Sequence, residues 1–425
     1  MTGALVLGLC GLMALNIPVA YAMLLAAIFY LTVLDQVPLI VVAQQAAAGT
    51  DQFLLLAIPF FFLAAELMGV GGSLQRLMDF SHALVGHVRG GLGQVNILSS
   101  MMFAGMTGSA IADAAGPGRI EIEMMRRAGY DIGFTAAITG ASATIGPIIP
   151  PSIPFVVYGS LAEVSVGKLF MAGILPGIAM GLFLMASVWW VAGRRRFPLD
   201  AWPGWAAVGG RFVRALPALV LPVVILGGIF TGMFTPTESA VAASGYALLL
   251  GLVTRELRLA QLGAILLRVG ADTSRIMLIV VASTVFSWIL AREGVPQELA
   301  AATLTLTDRP WLVLLLINLL LLALGTVMEP LPIMVLVVPI LMPLVRSLGI
   351  DPVHFGVVVT LNLMIGLITP PVGLIMFAMM DIARISMLRF ARETMPFLLA
   401  LLLVLLLITY VPGIVLLLPR LAFPG

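Results

Sequence analysis

Two short motifs with paired prolines interrupt long uncharged stretches of the sequence. They read IGPIIPP at 145–151 and IGLITPP at 365–371. Proline lacks a backbone N–H and breaks a helix, so carbonyl oxygens upstream lose their partners, and a glycine such as Gly146 lets the backbone turn or approach an ion closely. Freed carbonyls suit Na⁺, whereas the N-terminus of the next half-helix suits a carboxylate. The motifs therefore predict ion sites without buried charged side chains, which are expensive in a bilayer.

Hydroxyl and carboxyl groups cluster in two other segments rich in glycine or proline. FAGMTGSAIADAAG at 103–116 contains Thr107 and Ser109, with Asp113 as the nearest acid, and LGTVMEPLP at 324–332 contains Thr326 and Glu329. Ionisable residues inside a membrane are functional candidates, which makes Asp113 and Glu329 candidate coupling residues. The alternatives are structural, because Ser and Thr often join membrane helices and Asp113 could cap the following helix.

These residues lie in a chain with the composition of a membrane protein. Of its 425 residues, 61% are hydrophobic and 10% are charged, against about half and a quarter in soluble domains. Apolar runs of about 20 residues recur, each long enough to cross the hydrocarbon layer and too long for a barrel strand. We expect an all-α polytopic membrane protein, and we expect its apolar N-terminus, which lacks a basic region, to be retained as a span.

The rest of the composition excludes several classes of function. The one cysteine, Cys10, rules out an internal disulfide framework and a cysteine metal cluster, and a net charge of +2 argues against nucleic-acid binding. The sequence has no H-E-x-x-H zinc motif and no G-x-S-x-G elbow. Ala162 stands where a P-loop ending at Gly167 and Lys168 would need its first glycine. We therefore expect no enzyme and no cofactor, and an ion gradient as the source of energy.

Hydrophobicity divides the chain into about ten full spans and two longer segments. The spans are 3–17, 18–34, 53–73, 131–158, 169–192, 215–233, 237–253, 273–291, 353–380 and 394–418. The stretches 93–123 and 311–346 have Gly or Pro near their middle, which fits re-entrant helical hairpins. An arm precedes each hairpin, at 74–92 and 294–310. The arms are either braces around a moving core or ordinary amphipathic connectors.

The two halves of the chain share a pattern at an offset of 220 residues, the separation of Ile145 and Ile365. The same ungapped offset aligns Gly105 with Gly325, Arg126 with Arg346, Gly129 with Gly349 and Asp131 with Asp351. It also aligns Ser142 with Asn362, one turn before each break, which suggests that Asn362 lines a cavity and is a further candidate coupling residue. We predict two repeats, 1–210 and 211–425, each with spans, an arm, a hairpin and a broken helix (131–158 and 353–380).

The basic residues indicate the orientation of the spans. In this assignment 17 of the 22 basic residues fall on one face, and the other face has Lys168, Arg292, Arg309, Arg346 and Arg420. The positive-inside rule makes the richer face cytoplasmic and both termini periplasmic. The first hairpin then enters from the cytoplasm and the second from the periplasm. Repeats of opposite topology are common in secondary transporters.

Four motifs together resemble the large membrane (permease) subunit of tripartite ATP-independent periplasmic (TRAP) transporters. They are FAGMTGSAIADAAG, TIGPIIPPSIPFVVYG, GMFTPTESAVAA and LITPPVGLIMF, and the resemblance covers essentially the whole chain. It implies a Na⁺-coupled importer of small organic acids in the bacterial inner membrane, with an elevator-type transport domain. It also implies two protein partners, a periplasmic substrate-binding protein and a small four-helix membrane subunit, which would be a separate chain here.

The resemblance further implies where the ions and the substrate bind. One Na⁺ would lie between the first hairpin and the first break, the other between the second hairpin and the second break, and the substrate between them. Thr107 stands where the family often has Ser, and it keeps the hydroxyl. The first ion set is Gly105, Thr107, Gly146, Ile149 and Pro151; the second is Gly325, Thr326, Gly366 and Thr369; the substrate set is Ser109, Thr144, Pro150, Ser152 and Pro370.

Two other functions remain open at this point. A stand-alone Na⁺-coupled carboxylate carrier could share the same architecture, and uptake without the binding protein and the small subunit would favour it. A non-transporting membrane scaffold would be favoured if substitution of Gly146 or Thr107 left uptake intact. No feature of the sequence identifies the acid.

Overall fold

The computed structural model describes residues 2–15, 17–34, 37–38, 40–70, 72–195, 197–307 and 309–423. Throughout these ranges the regular structure is helical, as the sequence predicts. The first eleven helices are α1 (Thr2–Ala14), α2 (Val19–Phe29), α3 (Ile40–Thr50), α4 (Ala57–Val70), α5 (Ser73–Val85), α6 (Leu92–Thr107), α7 (Ala110–Ala115), α8 (Pro117–Arg127), α9 (Ile132–Ala143), α10 (Ile153–Ala162) and α11 (Val166–Ala192).

The second half has ten helices in its described residues. They are α12 (Trp205–Phe230), α13 (Pro236–Val253), α14 (Leu259–Arg292), α15 (Val295–Leu306), α16 (Pro310–Gly325), α17 (Pro330–Ser347), α18 (Pro352–Gly366), α19 (Leu374–Ala383), α20 (Met387–Tyr410) and α21 (Pro412–Ala422). A π-helical turn, Tyr30–Leu34, extends α2, and a 3₁₀ turn, Phe53–Leu56, precedes α4. Six of the described helical segments, Phe53–Val70 among them, are long and apolar enough to cross a membrane.

Two or three helices joined by short turns occupy each predicted hairpin, and two helices occupy each predicted broken helix. The first hairpin is α6 followed by α7 and α8, and the second is α16 followed by α17. The first break separates α9 from α10, and the second separates α18 from α19. We call the residues between these helices, 144–152 and 367–373, break 1 and break 2. The Pro150–Pro151 and Pro370–Pro371 peptide bonds, one in each break, are both cis.

The chain leaves each hairpin and enters each broken helix through the same local structure. Gly129 and Gly349 follow α8 and α17 with φ of +81° and +69°, a left-handed conformation that glycine adopts without a steric penalty. Asp131 then caps α9 by accepting from the Phe134 N–H at 3.0 Å, and Asp351 caps α18 by accepting from the Val353 N–H at 2.8 Å. The aligned glycines and aspartates are therefore a turn and a helix start.

The two halves interlock around the breaks. Each hairpin packs its first helix against the broken helix of its own half, α6 on α9 and α16 on α18. A later helix of each hairpin packs against the helix that follows the break in the opposite half. These contacts are α7 on α19 and α17 on α10. Tyr158 of α10 donates to the Pro352 carbonyl at 2.6 Å, and Arg346 of α17 donates to the Ala162 carbonyl at 3.1 Å.

Long helices pack around this interlocked centre. α13 packs along α4, and the Ser244 hydroxyl donates to the Phe60 carbonyl at 2.6 Å between them. α14 contacts α2, α3, α4 and α17, and α12 contacts α5 and α13. One cleft therefore lies between α4 and α14 on one side and the hairpin tips on the other.

Several predicted boundaries differ from the structure. No element is predicted over 35–52, where α3 packs against α14. The predicted span 273–291 is only the second part of α14, and the predicted span 394–418 includes the end of α20 at Tyr410 and the start of α21. The arms are shorter than predicted, as α5 and α15. Position 308 of the second arm and Arg196, one of the 17 basic residues, lie outside the described residues.

Candidate functional site

Break 1 is a compact turn whose hydroxyl groups bond to its own backbone. The Thr144 hydroxyl donates to the Ala141 carbonyl at 2.6 Å, at the end of α9. The Ser152 hydroxyl donates to the Pro147 carbonyl and accepts from the Phe155 N–H at 3.2 Å, which caps α10. Both side chains are fully buried. These two members of the predicted substrate set therefore hold the shape of the break.

The tip of the first hairpin lies directly on break 1. Gly108, with φ of +62°, ends α6, and Ser109 caps α7 by accepting from the Ala112 N–H at 3.4 Å. A Cβ on Gly108 would lie 2.5 Å from the Pro151 carbonyl oxygen, and one on Gly105 would lie 3.8 Å from the Pro150 carbonyl oxygen. The structure thus brings Gly105, Pro150 and Pro151 together.

Asp113 lies between the hairpin tip and the break. The Thr107 hydroxyl donates to its Oδ1 at 2.5 Å. Its Oδ2 is buried, has no hydrogen-bond partner, and packs so closely on Gly146 that a Cβ there would collide with it. Buried polar atoms are almost always hydrogen-bonded, and a buried carboxylate needs a counter-charge or a proton. Oδ2 is therefore an available ligand atom beside Thr107 and Gly146, both members of the first predicted ion set.

The second hairpin meets break 2 through close backbone contacts. Gly325 and Gly366 touch, and a Cβ on Gly366 would lie 2.6 Å from the Gly325 carbonyl oxygen. The Thr326 carbonyl accepts from the N–H groups of Val372 and Gly373 at 3.1 and 3.0 Å. The Thr326 and Thr369 hydroxyls each donate to a carbonyl of the preceding helix, at 2.8 Å. All four residues of the second predicted ion set thus lie at this contact, and the hydroxyl oxygens keep lone pairs.

An asparagine in each hairpin fixes the helix that leads into each break. Asn96 of α6 accepts from the Ser142 hydroxyl at 2.7 Å, and Asn318 of α16 accepts from the Asn362 amide at 2.8 Å. Asn362 is fully buried, and its Oδ1 has no hydrogen-bond partner. Asn362, predicted to line a cavity, therefore bonds to the second hairpin. Asn318 was visible in the sequence as the one polar residue in a leucine-rich run.

The cleft beside the hairpin tips has a volume of about 770 Å³. Thr107, Ser109 and Glu329 of the hairpin tips line the cleft together with apolar residues such as Phe62 and Ile276. The lining also contains two ion pairs: Arg268 pairs with Glu66 at 2.8 Å, and Arg275 pairs with Asp272 at 3.0 Å. The sequence motifs did not point to this lining, because α4 and α14 carry no helix-breaking signal there.

The remaining predicted residues lie farther from the cleft. The Ile149 side chain packs on Gly177 of α11, so only its backbone faces the turn. Pro150 is buried behind the hairpin tip, and Pro370 is half-buried in break 2. Of the predicted substrate set, Ser109 borders the cleft, and of the candidate coupling residues Glu329 does so.

Two interlocked hairpin-and-break pairs within a multi-helix body define a membrane transporter fold. The structure matches the crystal structure of the YdaH transporter of Alcanivorax borkumensis with a TM-score of 0.66 over 90% of each chain, at 14% sequence identity. It also matches the structure of MtrF of Neisseria gonorrhoeae, a member of a class of antimetabolite efflux pumps, with a TM-score of 0.61 over 90% of this chain and 85% of that one, at 11% identity. At such low identities the likeness concerns the fold alone.

The family is shown by sequence. Residues 6–414 match the family described as "Tripartite ATP-independent periplasmic transporter, DctM component", and the chain belongs to this family of transporter subunits, which are not enzymes. It is 42% identical to the sialic acid TRAP transporter large permease protein SiaM of Vibrio cholerae over 98% of both chains. It is 41% identical to the C4-dicarboxylate TRAP transporter large permease protein DctM of Pseudomonas aeruginosa over 87% of both chains.

Proposed function

We propose that the chain is the large permease subunit of a Na⁺-coupled importer of a small organic acid in the bacterial inner membrane. A periplasmic binding protein delivers the acid, and a small membrane subunit braces the permease. Membership of the TRAP family supports this proposal. So do the carboxylates in the names of its relatives, which include sialic acid, C4-dicarboxylates and, for the Escherichia coli relative, 2,3-diketo-L-gulonate.

The unpartnered Oδ2 of Asp113 is the observation that carries the Na⁺ proposal. A cation beside it would neutralise the carboxylate and supply its missing contact. The Thr107 hydroxyl and the carbonyls of break 1 supply further oxygen ligands, which suit a hard cation. We assign Na⁺ site 1 to Asp113, Thr107 and the backbone around Gly105, Gly146, Ile149 and Pro151.

Na⁺ site 2 has neutral ligands only. We assign it to the backbone of Gly325 and Gly366 and to the hydroxyl or carbonyl oxygens of Thr326 and Thr369, which meet where the second hairpin touches break 2. Helix C-terminal ends and unwound carbonyls present partial negative charge, which binds a cation without a carboxylate. Two Na⁺ sites, one with a carboxylate ligand and one with neutral ligands only, would thus couple the import of one acid molecule to the Na⁺ gradient.

In this proposal the organic acid binds in the cleft next to Ser109, at the tip of the first hairpin. Movement of the hairpins and broken helices past α4, α13 and α14 would carry the site across the membrane, in an elevator motion of two repeats with opposite topology. The cleft at the boundary between these two groups of helices supports that division. Each net positive charge moved inward contributes about 2.3 kcal/mol per 100 mV, and a tenfold Na⁺ gradient contributes about 1.4 kcal/mol per ion.

Reconstituted uptake tests this function. Proteoliposomes would hold the chain together with a TRAP small membrane subunit and a TRAP binding protein, and labelled sialic acid and succinate would be the probes. We expect uptake of one probe that needs an inward Na⁺ gradient and all three proteins. Equal uptake under a proton gradient without Na⁺ would refute the ion assignment. Uptake by the chain alone would favour a stand-alone carrier.

A pair of variants tests site 1 within that assay. Thr107→Ser keeps the hydroxyl that contacts Asp113 and should keep Na⁺-driven uptake, whereas Thr107→Val keeps the volume and removes the hydroxyl. We expect Thr107→Val to raise the Na⁺ concentration for half-maximal uptake about tenfold, the effect of about 1.4 kcal/mol. An unchanged value in folded Thr107→Val would remove Thr107 from the site.

A further inference from the structure

Glu121 is a second buried acid in the first hairpin, and transport as described above does not use it. It lies on α8 and is 2% exposed. Glu123, two residues later on the same helix, instead pairs with Arg126 at 2.7 Å and Arg127 at 2.8 Å at the protein surface. One helix thus carries one acid with two cationic partners and one acid buried against other helices.

Neutral groups surround the Glu121 carboxyl. The Asn96 amide lies 2.8 Å from Oε2, and the Ser99 hydroxyl oxygen lies 2.6 Å from Oε1. The same Asn96 amide nitrogen donates to the Thr139 hydroxyl at 2.8 Å, so both of its protons have acceptors. No ion pair of Glu121 occurs in the part of the chain that the structure describes.

A count of protons at Ser99 bears on the state of this carboxyl. Ser99 has one hydroxyl proton and two acceptor oxygen atoms within reach, Glu121 Oε1 and the main-chain carbonyl oxygen of Asn96, the latter at 3.1 Å. If Glu121 is protonated, it donates to Ser99, and Ser99 donates to the carbonyl. If Glu121 is ionised, Ser99 donates to Oε1 instead, because the Asn96 main-chain carbonyl lies inside α6 and has its helical partner there. Hydrogen bonding at Ser99 therefore accommodates the protonated form, and the charges around the carboxyl decide between the two forms.

The charges on the neighbouring helices favour the protonated form of Glu121. α8 packs against α6, α7 and α9. Neither α6 nor α9 contains an acidic or basic residue, and α7 contributes only Asp113, another acid. An ionised carboxylate without a cationic partner is very unfavourable in a buried site, and such a group takes up a proton instead. At the offset of 220 residues, buried Leu341 occupies the position of Glu121 in the second half.

We propose that Glu121 binds a proton and stays neutral, and that this proton site positions the helix entering break 1. The neutral carboxyl of Glu121 accepts from the Asn96 amide, and Asn96 Oδ1 accepts from the Ser142 hydroxyl. These two hydrogen bonds fix α9 at a position two residues before Thr144, where break 1 begins. Glu121 is thus a positioning residue that acts on the break through Asn96 and Ser142. It touches neither the ion nor the acid.

Infrared difference spectroscopy of the purified protein tests the proton directly and does not depend on the proposed transport function. The wild-type minus Glu121→Gln spectrum at neutral pH should contain the C=O stretching band of a protonated carboxyl. The matched control, Glu123→Gln on the same helix, should remove only carboxylate bands. The proposal would be overturned if the wild-type minus Glu121→Gln difference spectrum contained carboxylate bands and no band of a protonated carboxyl.

Uptake assays test the positioning role, and this readout rests on the proposed function. Gln keeps an uncharged donor and acceptor, so Glu121→Gln should retain a Na⁺ half-saturation within about twofold of wild type, whereas Glu121→Ala should raise it about tenfold. Equal impairment of folded Glu121→Gln and Glu121→Ala would show that a charge is required and would overturn the proposal. Absence of uptake in wild type would instead contradict the proposed function and leave the infrared result decisive.

Discussion

The two hairpin-and-break pairs share a backbone plan but differ in their buried acids. The first hairpin contains Asp113 and Glu121, both buried. At the offset of 220 residues the second has Ile333 and Leu341, also buried. The second hairpin has one acid near its tip, Glu329, which is exposed to the cleft. The same backbone plan thus has two buried carboxyl groups in the first hairpin, one of them against the break, and apolar side chains at the aligned positions of the second.

This difference indicates which part of each pair is sensitive to change. In the second pair Gly325 and Gly366 bring two backbones into contact, with no side chain between them. In the first pair the Asp113 side chain lies between the hairpin and Gly146. A side chain can rotate away from an added methyl group, whereas two packed backbones can separate only if whole helices move. We therefore expect the Gly325–Gly366 contact of the second pair to depend on shape and the Asp113–Gly146 contact of the first pair to depend on charge.

The largest effect should come from Gly366→Ala. The new Cβ would lie within 2.6 Å of the Gly325 Cα, so α16 and α18 must separate. Overpacking of this kind costs about 3 kcal/mol. We expect a lower thermal unfolding midpoint in detergent and no uptake. Gly245→Ala in α13 is the matched control, because a Cβ there meets nothing within 4 Å.

Gly146→Ala completes the contrast between the two pairs. Its Cβ would meet the Asp113 carboxylate, which can rotate, so the protein should fold with nearly the wild-type midpoint but lose Na⁺-dependent uptake. If Gly146→Ala lowers the midpoint as much as Gly366→Ala does, the distinction between charge and shape is wrong.

Asp113→Asn should give the next largest effect. It keeps the size of the side chain and removes the charge beside Thr107 and Gly146. Hydrogen bonds and contacts to a charged group contribute about 1.5–3 kcal/mol, so we expect the Na⁺ half-saturation of uptake to rise roughly 10- to 150-fold. Asp381→Asn, an exposed acid on α19, is the control. A Na⁺ response equal to wild type in Asp113→Asn would place the ion elsewhere.

A smaller effect is expected for the asparagine contact in the second pair. A double-mutant cycle of Asn318→Ala and Asn362→Ala, followed by thermal unfolding in detergent, should give a coupling of about 0.6–1.7 kcal/mol, the range for hydrogen bonds between membrane helices. The Asn96–Ser142 cycle should give a coupling in the same range, because the cycle isolates the one hydrogen bond from the Ser142 hydroxyl to Asn96 Oδ1. A coupling near zero in either cycle would show that the asparagine does not join the hairpin to the broken helix.

Much of this arrangement could be predicted from the sequence, for a physical reason. Glycine and proline restrict the backbone locally, so helices end at both proline motifs, and the aligned glycines, Gly129 and Gly349, both lie in turns. Uniform apolar runs carry no such signal, which explains the misplaced boundaries of α14 and α20. In the site, the contact of Asp113 with Gly146 is tertiary. Asn96 and Asn318 are 222 residues apart and do not align at the offset of 220.

The smallest effect should be a dependence of stability on pH at the start of α9. Burial acts to raise the pKa of Asp131, but the Phe134 N–H and the charges of Arg389 and Arg195 outweigh it, so the pKa lies below its ordinary value. A lowered pKa stabilises the fold above the ordinary pKa of about 4, and this contribution disappears as the pH falls through the lowered value.

Asn also caps helices, so Asp131→Asn removes the charge and keeps the cap. It should lower stability by less than about 1 kcal/mol at pH 7, and the difference from wild type should vanish in acid. Asp351→Asn, at a cap without an ion pair among the described residues, should change little at either pH. Thermal unfolding of the three proteins across pH would measure this, and a penalty for Asp131→Asn that persists in acid would show that the charge is not its source.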